Sequence, residues 1–222
     1  MRNFRFKDFE ISHITKRNLK NSYIQIGADA NIIVKTPKVS EAFVLQLLES
    51  KEGWIRKRIT QASTIQKPRL QDEVLLFGAI ISIDAHEVQS LQKSLQSVSV
   101  DENKKIVHHY NKFYNLYAHE HLLMRLNHFS FIMKLPYKEM RIKKLKSRWG
   151  SCDSLARITF NQELIKVKKE LIDYVVVHEL AHLVHMNHSP EFHALVRSYL
   201  PDADTLRKEL KAISLHKLSF DD

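Results

Sequence analysis

Leu171-Ile172-Asp173-Tyr174-Val175-Val176-Val177-His178-Glu179-Leu180-Ala181-His182-Leu183-Val184-His185-Met186-Asn187-His188-Ser189-Pro190 is the stretch on which the reading of this chain turns. It is apolar and helix-compatible up to a His-Glu-x-x-His pattern at His178, Glu179 and His182. Four residues of an α-helix advance about 400°, leaving the two imidazoles ~40° apart and one turn displaced, so both can reach one cation. Glu179 falls about 100° further round, beside the cation, where a carboxylate can take a proton from a metal-bound water without ligating. The apolar flanks sharpen the inference, because polar groups buried there need a partner that offsets their desolvation.

A catalytic zinc takes a third protein ligand and keeps one position open for water. Two histidines compete for the place. On a continuing helix His185 would lie roughly 7 Å along the axis from the metal level, a poor reach. His188 follows Met186-Asn187, and Asn can adopt the left-handed conformation that ends a helix and turns the chain back. Geometry favours His188, with His185 left to a hydrogen-bonding role behind the ligands. Ser189-Pro190 then supplies an N-cap and first-turn proline for a further helix over 191–199. Two bland alternatives remain at this point: a core helix with hydrogen-bonded histidines, or a closed structural zinc. The second is usually Cys-rich, and Cys152, the one cysteine, sits in a loop without ligand spacing.

Upstream, Ser22–Ile26 and Asn31–Lys35 are β-branched and aromatic runs around Gly27-Ala28-Asp29-Ala30, a predicted hairpin. A helix follows from a Ser40 N-cap to about Ile59, with Phe43, Leu47, Trp54 and Ile55 near helical spacing. Val74–Ile83 reads as a second hairpin or bent strand broken at Gly78, and Gln89–Gln96 as a surface loop. From about Glu102 one long amphipathic helix is expected, carrying Ile106, Tyr110, Phe113, Tyr117, Met124 and Phe131 and stopping before Pro136. Its histidines (His108, His109, His119, His121, His128) lack repeating acidic partners and read as surface residues. Two strands, Met140–Lys146 and Ala156–Phe160, flank Ser147–Ser154. The fold class is α+β: a β-rich N-terminal portion with one helix over 1–100, then a helix/sheet unit over 101–222 that carries the His-Glu-x-x-His helix.

The 222 residues hold 44% hydrophobic side chains with 4 Gly and 5 Pro, which excludes collagen-like and largely disordered chains. A lone Cys suits a reducing cytoplasm, and no apolar run approaches the ~18 residues that span a bilayer, so a cytoplasmic protein is expected with no membrane partner. Lys and Arg exceed Asp and Glu by 35 to 25, a net +10 that permits an anionic partner but does not identify one.

Ser147-Arg148-Trp149-Gly150-Ser151-Cys152, the strand ending in Asn161, Asp173–His182 and Met186-Asn187-His188-Ser189-Pro190-Glu191-Phe192 together resemble the YgjP-type family of predicted zinc-dependent hydrolases, minimal zincins related to the SprT and WLM metallopeptidases. Trp54-Ile55-Arg56-Lys57-Arg58 and Leu76-Phe77-Gly78 resemble that family's N-terminal region. The resemblance implies one zinc on His178, His182 and His188, Glu179 as catalytic acid/base, and Arg148, Trp149 and Ser151 facing the site. It also implies that the Met140–Phe160 hairpin forms a platform for extended substrate. The chain departs from the pattern at Leu155-Ala156, where a glycine is usual, at Val167-Lys168-Lys169, where prolines are common, and at His193, where a tryptophan is usual. No ligand is touched.

The expected activity is a metallopeptidase acting on peptide or protein through a zinc-activated water. Tyr137, Arg148, Tyr174 and His185 are unranked candidates for the oxyanion partner. Two alternatives stay open: hydrolysis of a nucleotide phosphoanhydride, without any Gly-rich phosphate loop to support it, and a nucleic-acid-associated protease or binding module suggested by the basic runs at Arg56–Arg58, Lys143–Lys146 and Lys166–Lys169.

Overall fold

Alternating aromatic and charged residues at the start of the chain build a hairpin, β1 (Arg2–Phe6) with β2 (Phe9–Thr15). The sequence reading lacks it because its two-residue turn places Lys7 at φ 54° instead of using the Asn-Gly or Asp-Gly pair that marks such turns. The structure is a computed structural model that describes residues 2–26, 31–62 and 68–220. The predicted strands are β3 (Tyr23–Ile26) and β4 (Ile32–Thr36), paired antiparallel; the connection expected at 27–30 lies outside the described residues. The sheet order is β1-β2-β4-β3, with β2 and β4 parallel.

Helix α1 (Glu41–Ala62) starts where Ser40 Oγ accepts the Phe43 N–H at 3.2 Å. It packs Val44, Leu48 and Ile55 on Phe6, Phe9, Ile11, Ile32 and Val34, while Phe43 and Trp54, expected on the buried face, are exposed. Arg56 makes a bidentate pair with Asp8 at 2.7 and 2.8 Å.

The chain divides into two units, Met1–Gln66 with Ala212–Ser214, and Lys67–Lys211 with Leu215–Asp222. The sequence reading sets the change of character near residue 100. The difference arises because β5 (Glu73–Leu76) and β6 (Ala79–Ser82) form a hairpin whose turn docks on the segment leading to the histidine helix. Phe77 and Gly78 N–H groups donate to Ile165 and Lys166 carbonyls, each at 3.0 Å. Gly78 takes φ 82°, and a Cβ there would lie 2.9 Å from Lys168 Cγ, so glycine is demanded twice over. The polar stretch expected as a loop is instead α2 (Gln89–Leu95), anchored by buried Leu91.

Helix α3 (Asn103–Met133) is the long expected element, but Met124 and Phe131 are exposed. Burial follows Ile106, Tyr110, Tyr114, Ala118, Leu122 and Leu126. Four-residue steps advance that row by ~40° each, so the buried face turns around the helix, away from Met124 and Phe131. The three strands β7 (Glu139–Lys143), β8 (Gly150–Cys152) and β9 (Arg157–Asn161) are ordered β7-β9-β8. The expected hairpin is thus replaced: β7 and β9 are parallel, and β8 is an antiparallel edge strand reached by a crossover through 144–149.

A buried 3-10 turn, Gln162–Lys166, leads into α4 (Lys169–Ala181). Lys166 is almost wholly buried, 2.6 Å from both Glu163 Oε2 and the Leu218 carbonyl, with the Tyr114 and Phe220 rings 4.0 and 4.4 Å away. Arg125 of α3 grips Asp173 of α4 in a bidentate pair at 2.6 and 2.9 Å. Helices α5 (Pro190–Tyr199), α6 (Ala203–Ala212) and α7 (Leu215–Leu218) follow. Among the described residues no helix is long and apolar enough to cross a membrane.

Candidate metal centre

Helix α4 is buried nearly throughout, with Ile172, Val176, Val177 and Leu180 excluded from solvent, and carries His178 and Glu179 on its last turn. It stops at His182, where the Leu183 and Val184 N–H groups bond back three residues and the chain bends at 186–187. The reversal needs no left-handed residue at Asn187, contrary to the expectation. Ser189 Oγ then accepts the Phe192 N–H at 3.3 Å and starts α5 as predicted. The bend returns His188 to the helix: His178, His182 and His188 each offer a nitrogen within 4.8 Å of the others, and the Nε2 atoms of His178 and His188 are 3.0 Å apart. Among the described residues no other three His, Cys, Asp or Glu side chains converge in this way.

Phe192, fully buried, sets its ring 4.6–4.9 Å from all three imidazole centroids and walls one side of the cluster. It belongs to the quoted motif, yet nothing in the sequence gives it this role. His182 Nδ1 lies 3.0 Å from the His185 carbonyl, so the main chain of His185, and not its ring, stands behind the cluster. His178 Nδ1 is buried without a hydrogen-bond partner.

Burial, with the neighbouring His182, His188, Arg207 and His193, pushes His178 down to about 3. Burial also lowers His182 and His188, the former against its bond to the His185 carbonyl. All three rings therefore present lone pairs. A tetrahedral zinc with ~2.0–2.1 Å bonds holds its nitrogens ~3.3–3.4 Å apart, so this donor set closes on such an ion with small side-chain movements.

Glu179, 5% exposed, points to β8, and burial pushes its carboxyl up to about 8 against the opposing pull of Arg148. Gly150 makes the close approach possible. A Cβ on it would meet Glu179 Oε1 at 2.7 Å, Cγ at 2.9 Å and Cδ at 3.0 Å. Cys152, two residues on and so on the same strand face, has its thiol pushed up to about 11 by burial and then by Glu179, and it is not one of the three converging ligands. Ser151 lies between them, on the opposite face by alternation.

The remaining candidates separate. Arg148 is exposed and bears on Glu179; Trp149 is half-buried, and its carbonyl accepts the Asn161 N–H at 2.8 Å. The sequence marks Asn161 only as the end of a strand. It is fully buried, and its Nδ2 donates to the Leu145 and Arg148 carbonyls at 2.8 and 3.0 Å, fixing the crossover. Tyr174 sits one turn before His178, ring centroids 5.7 Å apart, whereas Tyr137 donates to Asn127 Oδ1 at 2.6 Å. Of the basic runs, Arg56 is held by Asp8 and Glu52, Lys166 is buried, and Lys168 pairs with Glu209.

A family model described as YgjP-like, metallopeptidase domain, matches residues 20–213. The chain belongs to the YgjP-like metallopeptidase family. It is accordingly a metal-dependent hydrolase of α+β architecture. Two solved structures are similar to part of this YgjP-like chain. The metallopeptidase zymogen abylysin of Pyrococcus abyssi is 24% identical over 40% of this chain and 90% of its own, with a TM-score of 0.38. The zymogen jannalysin of Methanocaldococcus jannaschii is 20% identical over 40% and 93%, with a TM-score of 0.37. No curated protein matches the chain.

Proposed function

We propose that this YgjP-like metallopeptidase is a zinc enzyme that cleaves peptide bonds, with one ion per chain on His178, His182 and His188 and Glu179 as general base. The observation that carries the reading is the convergence of three imidazoles beside the buried carboxyl of Glu179. A bound zinc would polarise the scissile carbonyl and lower the pKa of a water. Glu179 would take a proton from the attacking water and pass it to the leaving amine. Gly150 leaves the space that the Glu179 carboxyl occupies, and Arg148 favours its ionised, proton-accepting form. The free edge of β8 suits an extended peptide that adds as a strand beside the helix carrying Glu179.

Zinc analysis and hydrolysis of an unfolded protein such as casein test the reading. Wild type should hold one equivalent of zinc, and Glu179→Gln should keep the zinc while losing about 10²–10⁴-fold in kcat. Unchanged activity in Glu179→Gln, or no stoichiometric zinc in wild type, sinks it.

A further inference from the structure

Each of the three clustered imidazoles needs something to hold its plane, because a ring free to turn aims its nitrogen elsewhere. His182 has the His185 carbonyl, 3.0 Å from its Nδ1. His178 has no such support. Its Nε2 faces the Nε2 of His188 at 3.0 Å, and Nδ1, the nitrogen turned away from the cluster, is buried without a hydrogen-bond partner. What packs on this ring is aromatic: Phe192 at 4.9 Å between centroids and 77° between planes, and Tyr174 at 5.7 Å. The centroids of His178, His182 and His188 are 4.8–5.0 Å apart, and that of Phe192 is 4.6–4.9 Å from each of them. The phenyl ring is therefore the fourth corner of a near-regular tetrahedron, standing over one face of the histidine triangle and closing it. Phe192 is itself held in place. It has no solvent exposure, its N–H donates to the Ser189 cap of α5 at 3.3 Å, and Val196, one turn further, is buried.

We propose that Phe192 is the positioning residue of this cluster: its ring takes the place of the hydrogen bond that ordinarily aims a ligating histidine, fixing His178, and shuts one face of the three imidazoles. Edge-to-face packing suits the task, because the positive rim of one ring prefers the face of its neighbour, so rotation of either is opposed. A closed face admits no further ligand from that side. This favours an ion content with four ligands, as zinc is, over ions that take an octahedral shell. The assignment rests on the zinc reading and adds to it a residue that acts through the ligands.

The test compares wild type with Phe192→Leu and Phe192→Met, which keep apolar bulk without the ring, so that either folded variant suffices. Phe113→Leu is the control for lost packing, since it removes a buried ring of α3 whose aromatic neighbours are Tyr114 and Tyr117. All three should lower Tm. Only the Phe192 variants should weaken zinc, by about 10–100-fold in Kd measured against a competing chelator, the range of a lost orienting partner. Co(II) reports the geometry. Cobalt-loaded wild type and Phe113→Leu should show the intense visible bands of a four-coordinate site, and the Phe192 variants the weak absorption of a five- or six-coordinate one. Metal-free protein gives a readout independent of zinc: the His178 ring carbons, assigned by their loss in His178→Ala, should have an NMR order parameter of about 0.85 in wild type and below about 0.6 in the Phe192 variants. An unchanged Kd and cobalt spectrum in the Phe192 variants overturn the proposal, as does equal loss in Phe113→Leu. If wild type holds no stoichiometric zinc, the zinc reading falls, and the metal-free order parameters decide for Phe192. A His178 ring equally rigid with and without the phenyl group overturns the proposal there.

Discussion

Replacing Gly150 by alanine adds one methyl group at the tightest point of the centre. That methyl would stand 2.7 Å from Glu179 Oε1, whereas ordinary contact begins near 3.4 Å, so about 0.7 Å of separation must be found. The backbone resists on both sides. Helix α4 is buried around Glu179, and the crossover before β8 is stapled by the three hydrogen bonds of Asn161. The carboxylate must therefore rotate away, since Cγ and Cδ are also within 3.0 Å of the new atom. Overpacking of this kind costs about 1–3 kcal/mol in stability. A catalytic group misplaced by the order of 1 Å loses about 10²-fold in rate. Gly150→Ala should consequently hold one equivalent of zinc, melt a few degrees lower, and show kcat on casein reduced about 100-fold. Zinc analysis, thermal melting and initial rates on zinc-loaded protein measure the three separately. A kcat within about twofold of wild type would refute the argument that Gly150 positions Glu179.

Two further outcomes are expected. His188→Ala should lose stoichiometric zinc, while His185→Ala should retain it, because His185 contributes only its carbonyl behind His182; equal loss in both variants contradicts this. Glu163→Ala should destabilise the protein by about 3–5 kcal/mol, leaving the buried Lys166 charge without its carboxylate, whereas Lys166→Met combined with Glu163→Leu should recover most of that in a denaturant titration.

The centre was legible because it rests on local helical geometry. The i, i+4 spacing of His178 and His182 and a short return to His188 leave few arrangements. The fold was legible where turn chemistry announced it, as at Gly78 and Ser40, and obscure where it did not. Lys7 closes a hairpin without a glycine, and Gln89–Leu95 forms a helix whose single buried anchor, Leu91, leaves almost no periodicity. Strand order between 139 and 161 is set by Asn161 reaching back across 13 and 16 residues, a long-range bond that no window of sequence displays. The drift of the buried face along α3 misassigned Met124 and Phe131, whose seven-residue spacing resembled a stripe.

The clasp between Lys166 and the Leu218 carbonyl also has a place in time. Its two partners are separated by 52 residues. At a synthesis rate of ~5–20 residues per second, Leu218 follows Lys166 by about 3–10 s. Once residue 181 has been added the nascent chain contains the helix of His178, yet the buried Lys166 ammonium just before it still lacks one of its acceptors. A chain interrupted before residue 218 therefore carries all three clustered histidines while the Lys166 ammonium lacks the Leu218 carbonyl.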